Sequence, residues 1–304
     1  MRTVGRSFRL RLPDRPPKVE AWIGALLGGL SSATRMSQND FRSIFEVLSP
    51  SPWRKFDECW KILLELDASG REYITVGNIA EGLADPPLEL LSDYEGSSGP
   101  LLSTIHAIKG RESERVMLLL TRAPYGDQVN WAEEAHTLYV GATRVSTELR
   151  TGCINPRKFY TTGTPERFWA ARPDHRMIEI GIEGDLVDWN EFMRSGHVFD
   201  KTSLISSIWR AAYDEPKAAA YPDADRRLVL RIGDHDGTPI GCLSDSFIDL
   251  MQSLRMVELE SALPEIVAGI SVVGATTVAV PGRSGEAPSL GLMPLLGGFA
   301  SIPR

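Results

Sequence analysis

Two apolar runs, residues 101–105 and 116–120, each read as a buried strand, and the segment between them is mostly polar. That segment, "HAIKGRESER", places His106, Lys109, Gly110, Arg111 and Glu112 between two stretches that both want to be covered. A loop follows at 122–130, and then the stretch 131–149, "WAEEAHTLYVGATRVSTEL", reads as one helix. Ala135, Leu138, Tyr139, Ala142, Val145 and Leu149 recur along it at 3.6 spacing, which predicts a single apolar stripe. Glu133 and Glu134 fall in its first turn, where the helix dipole favours acids, and Arg144 falls nearly opposite the stripe. Strand, polar turn, strand and helix in that order predict an α/β layer.

The flanking regions differ from this centre. Residues 17–92 carry helical periodicity, with Ser37-Gln38-Asn39-Asp40 as cap chemistry before "FRSIFEVL". Pro50 and Pro52 end that segment, "WRKFDECWKILLELDAS" predicts a third helix with Gly70 beyond it, and "EYITVGNIAEGLA" predicts one more. Residues 92–100 read as a linker. From about 161 onward the chain is β-rich, with "GDHDG" at 233–237 as a hairpin turn and "DSFIDLMQSLRMVELESAL" as a helix among the strands. The Gly- and Pro-rich tail after 280 is expected to be irregular, and no internal repeat is evident.

Composition limits the roles open to the chain. With 304 residues and a net charge of −7, it has no global positive field for nucleic acid, so any such contact needs a local groove. Cys59, Cys153 and Cys242 are scattered without metal-ligand spacing, which predicts reduced thiols, no zinc site and a cytoplasmic protein. His175, His197 and His235 likewise have no partners at ligand spacing. Trp53, Trp60 and Trp131 are expected to pack rather than stack bases, and no apolar run approaches the ~20 residues that span a bilayer.

Two stretches carry the functional reading. "STIHAIKGRESERV" keeps Thr104, Ile105, His106, Lys109, Gly110, Glu112 and Val116 of the pattern T-[IV]-H-x-x-K-G-L-E-F-x-x-V. "EEAHTLYVGATRV" keeps Glu133, Glu134, Leu138, Tyr139, Val140, Thr143 and Arg144 of E-E-x-R-x-L-Y-V-x-x-T-R-A. In this order and about 30 residues apart, they resemble the last two motifs of UvrD/Rep/PcrA-type superfamily 1 DNA helicases. The resemblance implies a second RecA-like lobe that lends groups to ATP bound between two lobes. It implies that Glu112 hydrogen-bonds the nucleotide sugar and that Arg144 acts as an arginine finger on the transferring phosphoryl group. It further implies that Thr104 and His106 meet the backbone of single-stranded DNA. Lys109-Gly110 would turn the chain from the DNA side to the nucleotide side, with Gly110 supplying backbone freedom. Arg111, Ser113 and His136 depart from the family residues at their positions.

The chain contains no G-x-x-x-x-G-K-[ST] and no Gly-Lys pair, so the phosphate cradle and the magnesium ligands of an ATP–Mg²⁺ site would have to come from a separate P-loop lobe. By the same resemblance, residues 1–95 correspond to the helical 2B insertion and 96–160 to the core of the second lobe. Residues 161–304 would be a β-rich, small-barrel accessory region. The expectation is thus a fragment of an ATP-dependent helicase that is inactive alone. The alternative is a non-catalytic DNA- or protein-binding module on the same fold.

Overall fold

The structure, a computed structural model, describes residues 9–11, 17–48, 54–70, 72–92, 100–121, 130–154, 160–161, 167–196, 200–214, 217–254, 256, 263–282 and 286–303. It is mixed α/β, with eight α-helices and a large antiparallel sheet among those residues.

The first region runs β1 (Arg9–Arg11), β2 (Lys18–Val19), α1 (Ala21–Leu27), β3 (Arg35–Ser37), α2 (Gln38–Leu48), α3 (Phe56–Asp67), β4 (Tyr73–Thr75), α4 (Val76–Gly82) and β5 (Leu91–Ser92). The expected cap of α2 is formed. Ser37 Oγ accepts from the Asp40 amide at 3.3 Å, and Asp40 Oδ2 accepts from the Ser37 amide at 2.9 Å, a reciprocal box that satisfies otherwise free donors. Residues 73–75, expected to be helical, form a strand instead, and antiparallel β3–β4 pairing is what draws them out.

That pairing exposes a repeat that the sequence reading missed. Met36 faces Ile74, 38 residues on, and the same offset relates Trp22 to Trp60, Leu26 to Leu64, Ser37 to Thr75 and Phe41 to Ile79. Helix, loop strand and helix therefore occur twice, at 21–48 and 56–82. The repeat is hidden in the sequence because it preserves side-chain volume and burial more than residue identity. Trp22, Trp60, Met36, Ile74, Phe41 and Ile79 are all buried in one cluster.

The second region comprises β6 (Leu101–Ser103), β7 (Ser113–Thr121), α5 (Trp131–Ala142) and β8 (Val145–Ile154). Strands β7 and β8 are parallel, and β1 is parallel to β6, so the first region enters and leaves beside one strand pair. Antiparallel β2–β5 forms the neck between them. The single helix expected over 131–149 is corrected here. It stops at Ala142, and residues from Val145 pair with β7. The β-branched run Val145, Thr147, Thr151 favours the strand, and the apparent helical stripe beyond 142 is coincidental. Accordingly Leu138 and Tyr139 are exposed, and the helix instead turns Val140 and Gly141 towards the sheet.

The third region comprises β9 (Tyr160–Thr161), β10 (Phe168–Ala171), β11 (His175–Glu179), α6 (Trp189–Arg194), α7 (Lys201–Asp214), β12 (Lys217–Pro222), β13 (Leu228–Ile232), β14 (Thr238–Cys242), α8 (Asp245–Ser253), β15 (Val267–Val280), β16 (Ser289–Gly297) and β17 (Phe299–Pro303). The strands form one nine-stranded antiparallel sheet in the order β14-β13-β12-β15-β17-β11-β10-β9, with β16 on the second half of β15. The 233–237 turn joins β13 to β14 as expected. The tail is the third correction: far from irregular, it supplies β16 and β17 and buries Leu290, Leu292, Leu296, Ala300 and Ile302. Alternate apolar residues drive it into the sheet, and its glycines let neighbours approach. A Cβ on Gly291 would sit 2.6 Å from the Trp189 ring.

The first and third regions share a core although the second separates them in sequence. Leu290 of β16 belongs to the buried cluster of the first region, and Trp209 of α7 borders both clusters. Polar bonds fix the seam. Thr277 Oγ1 donates to the Glu20 carbonyl at 2.5 Å and accepts from the Gly24 amide at 2.9 Å, while Thr276 Oγ1 donates to the Val19 carbonyl at 2.9 Å.

Candidate functional site

Of the six residues singled out in sequence, Glu112 and Arg144 flank the starting end of the parallel pair, and the other four lie on the turn that leads into β7. The Ser113 amide donates to the Arg144 carbonyl at 2.9 Å, and Ser113 then pairs with Val145. This bond ties the turn that precedes β7 to the turn that precedes β8. Glu112 is therefore one residue from the bond on one side, and Arg144 provides its acceptor on the other.

The turn itself is built from short local bonds. The Ala107 amide donates to Thr104 Oγ1 at 3.2 Å, the Lys109 amide to the His106 carbonyl at 3.3 Å, and the Arg111 amide to the Ile108 carbonyl at 3.0 Å. Gly110 has φ +83° with open space where a side chain would stand, so its role is conformational. Thr104, His106, Lys109, Gly110 and Glu112 are all exposed. Ile105 faces inward: a Cβ on Gly141 would lie 3.1 Å from Ile105 Cδ1 and 2.9 Å from Leu118 Cδ2, so α5 rides close over the turn and β7.

Arg144 is not on the helix, as expected, but in the turn after it. It is half-buried. Its Nε donates to the Val140 carbonyl at 3.1 Å and Nη2 to Thr143 Oγ1 at 3.3 Å. A guanidinium at a helix C-terminus is favoured by the free carbonyls and the dipole there.

Sequence reasoning missed three supports of this arrangement. Asn130 caps α5, its Oδ1 accepting from the Glu133 amide at 3.3 Å, a signal legible as Asn three residues before an acid. Ser113, noted only as a departure, supplies the amide that joins the two turns. Gly141 permits the close packing of helix on strand, which only the tertiary contact reveals. The Trp131 side chain, expected to pack, is 68% exposed. Trp53, Cys153 and His197 lie where the side chain falls outside the described residues.

No group of three or more His, Cys, Asp and Glu gathers to hold a metal ion among the described residues. Cys59 and Cys242 are free and buried, and burial pushes each thiol up to about 12. Among the described residues no helix is long and apolar enough to cross a membrane. Compared with known proteins, the chain matches no family model, no curated protein and no solved structure.

Proposed function

We propose that residues 96–160 serve as the nucleotide-facing part of a second RecA-like lobe, in a UvrD-like ATP-dependent DNA helicase whose P-loop lobe is a separate partner. The observation that carries this reading is the bond from Ser113 to Arg144, which brings Glu112, Gly110 and Arg144 to one end of β7–β8. One carboxylate and one guanidinium, with Gly110 shaping the turn that presents the carboxylate, suit contact with a nucleotide's sugar and terminal phosphate, while offering nothing to enclose its phosphates. ATP is thus the substrate of the completed site, and the magnesium ligands belong to the partner. Arg144 would stabilise charge on the transferring phosphoryl group, and Glu112 would accept from the sugar hydroxyls. Thr104, His106 and Lys109, exposed at the end of β6 and on its turn, would meet the backbone of single-stranded DNA. The nine-stranded region is the accessory module of this assembly.

A second reading, a binding module without turnover, draws on one observation. The Arg144 guanidinium is already engaged by Val140 and Thr143. ATP turnover after mixing the chain with a P-loop helicase lobe separates the two. In the helicase reading DNA-stimulated turnover appears, and Arg144→Ala lowers it by ~10³-fold or more. Glu112→Ala acts mainly on the KM for ATP. Turnover indifferent to both substitutions would leave only the binding module.

A further inference from the structure

The two loops that pair through β3 and β4 occupy equivalent places in the repeated helix–loop–helix. Counted from Asp67, the last residue of α3, β4 covers loop positions seven to nine and α4 starts at position ten. Counted from Gly29, just past the end of α1, β3 and α2 fall at the same positions. The eighth residues, Met36 and Ile74, are buried and face each other across the pair. A twelve-residue loop between helices, joined to its twin through the residues around position eight, is the layout of an EF-hand pair. In that layout side chains at positions one, three, five, nine and twelve, with the position-seven carbonyl, surround a divalent cation.

The chemistry at those positions has changed. The first loop begins with Gly29, and the second offers Asp67, Ser69, Thr75 and Asn78 at positions one, three, nine and twelve, a single carboxylate, with Arg71 fifth in sequence. Glu72 stands at position six, where a cation-binding loop takes Gly for its sharp turn. Asp67 is nevertheless buried and fully engaged. Its Oδ1 accepts from the Ser69 amide at 3.2 Å, and its Oδ2 accepts from the Thr75 amide at 2.6 Å and from Asn78 Nδ2 at 3.3 Å. Positions one, three, nine and twelve are thus joined to one another directly, through the carboxylate that would otherwise face a metal.

We infer that residues 21–82 are an EF-hand-like pair in which the Asn78 amide and the Ser69 and Thr75 backbone amides have taken the place of a divalent cation. The pair holds its form without metal and braces β15–β16 permanently, where a cation-responsive pair would open and close. Thermal melting of the full chain tests this. With EDTA or with about 5 mM calcium, above even the weakest EF-hand range, the native melting temperature should agree within ~1 °C. Asn78→Asp sets a second carboxylate against Asp67; it should melt ~5 °C lower in EDTA and recover with calcium. Asn78→Ala should melt lower and stay there. A native chain that gains several degrees with calcium overturns the inference, and so does an Asn78→Asp chain indifferent to it. Should the variants fail to fold, terbium titration of the native chain decides. Saturable luminescence sensitised through Tyr73 overturns the inference, and its lack supports it.

Discussion

Individual buried polar residues do disproportionate work in this chain. The Arg167–Asp185 pair is the clearest case, at 4% exposure for both side chains. Two parallel bonds of 2.9 and 2.6 Å join them, Arg167 Nη1 also donates to the Glu179 carbonyl, and Asp185 Oδ2 accepts from the amides of Gly181 and Ile182. Removing one partner strands the other charge in the core, so Arg167→Ala should cost ~3–5 kcal/mol in urea unfolding. Replacing both, as Arg167→Met with Asp185→Leu, should cost less than the single change. Asp67 sets a pH dependence. Burial opposes its ionisation, but bonds from Ser69, Thr75 and Asn78 outweigh that and hold its carboxyl below the usual carboxylate range. The native group therefore binds its proton less readily than the unfolded one. Its stabilisation is present above the unfolded value of ~3.9 and lost as pH falls through the folded value. Unfolding midpoints measured from pH 6 down to pH 3 should fall, and Asp67→Asn should flatten that slope while lowering the plateau.

At the scale of elements, the decisive events are where segments stop. Helix α5 ends at Ala142 because the Arg144 amide closes on the Gly141 carbonyl in a tighter turn and the Arg144 carbonyl is taken by Ser113, leaving Val145 free to pair with β7. The helix can approach the strands only because Gly141 lacks a side chain. Gly141→Val would press on Leu118 and Ile105 and should cost ~1–3 kcal/mol. It should also disturb the Arg144 turn more than any substitution on the exposed face of α5, which an amide hydrogen-exchange comparison at Arg144 and Ser113 would read. A similar restriction acts at Gly181, where φ is +103° and a Cβ would lie 1.9 Å from the Leu296 carbonyl oxygen. Gly181→Ala should therefore lose at least ~2 kcal/mol, through strain in a region of backbone space that only glycine occupies freely.

For the whole molecule, the seam between the first and third regions makes a testable unit. Gly24 lies where a Cβ would meet the Gly291 carbonyl oxygen at 2.5 Å, and backbone cannot move aside as a side chain can. Gly24→Val should part α1 from β15–β16 and break the bonds of Thr276 and Thr277. The native chain should show one cooperative transition for the two regions by both tryptophan fluorescence and circular dichroism. The variant should show two, and coincident transitions in it would mean that the seam contributes little to cooperativity. How much of this was legible beforehand follows from range. The sequence alone determined the four helices within 17–92, the strand–turn–strand of 101–120 and the hairpin at 233–237. Periodicity, caps and turn chemistry act over a few residues and can be read along the chain. Three things were decided only by tertiary structure: the end of α5 at Ala142, the recruitment of the Gly-rich tail into the sheet, and the 38-residue repeat joined through Met36 and Ile74. Each depends on a partner strand far away in sequence. A β-strand is stabilised by the neighbour that satisfies its amides, and a helical pattern yields wherever such a neighbour is within reach.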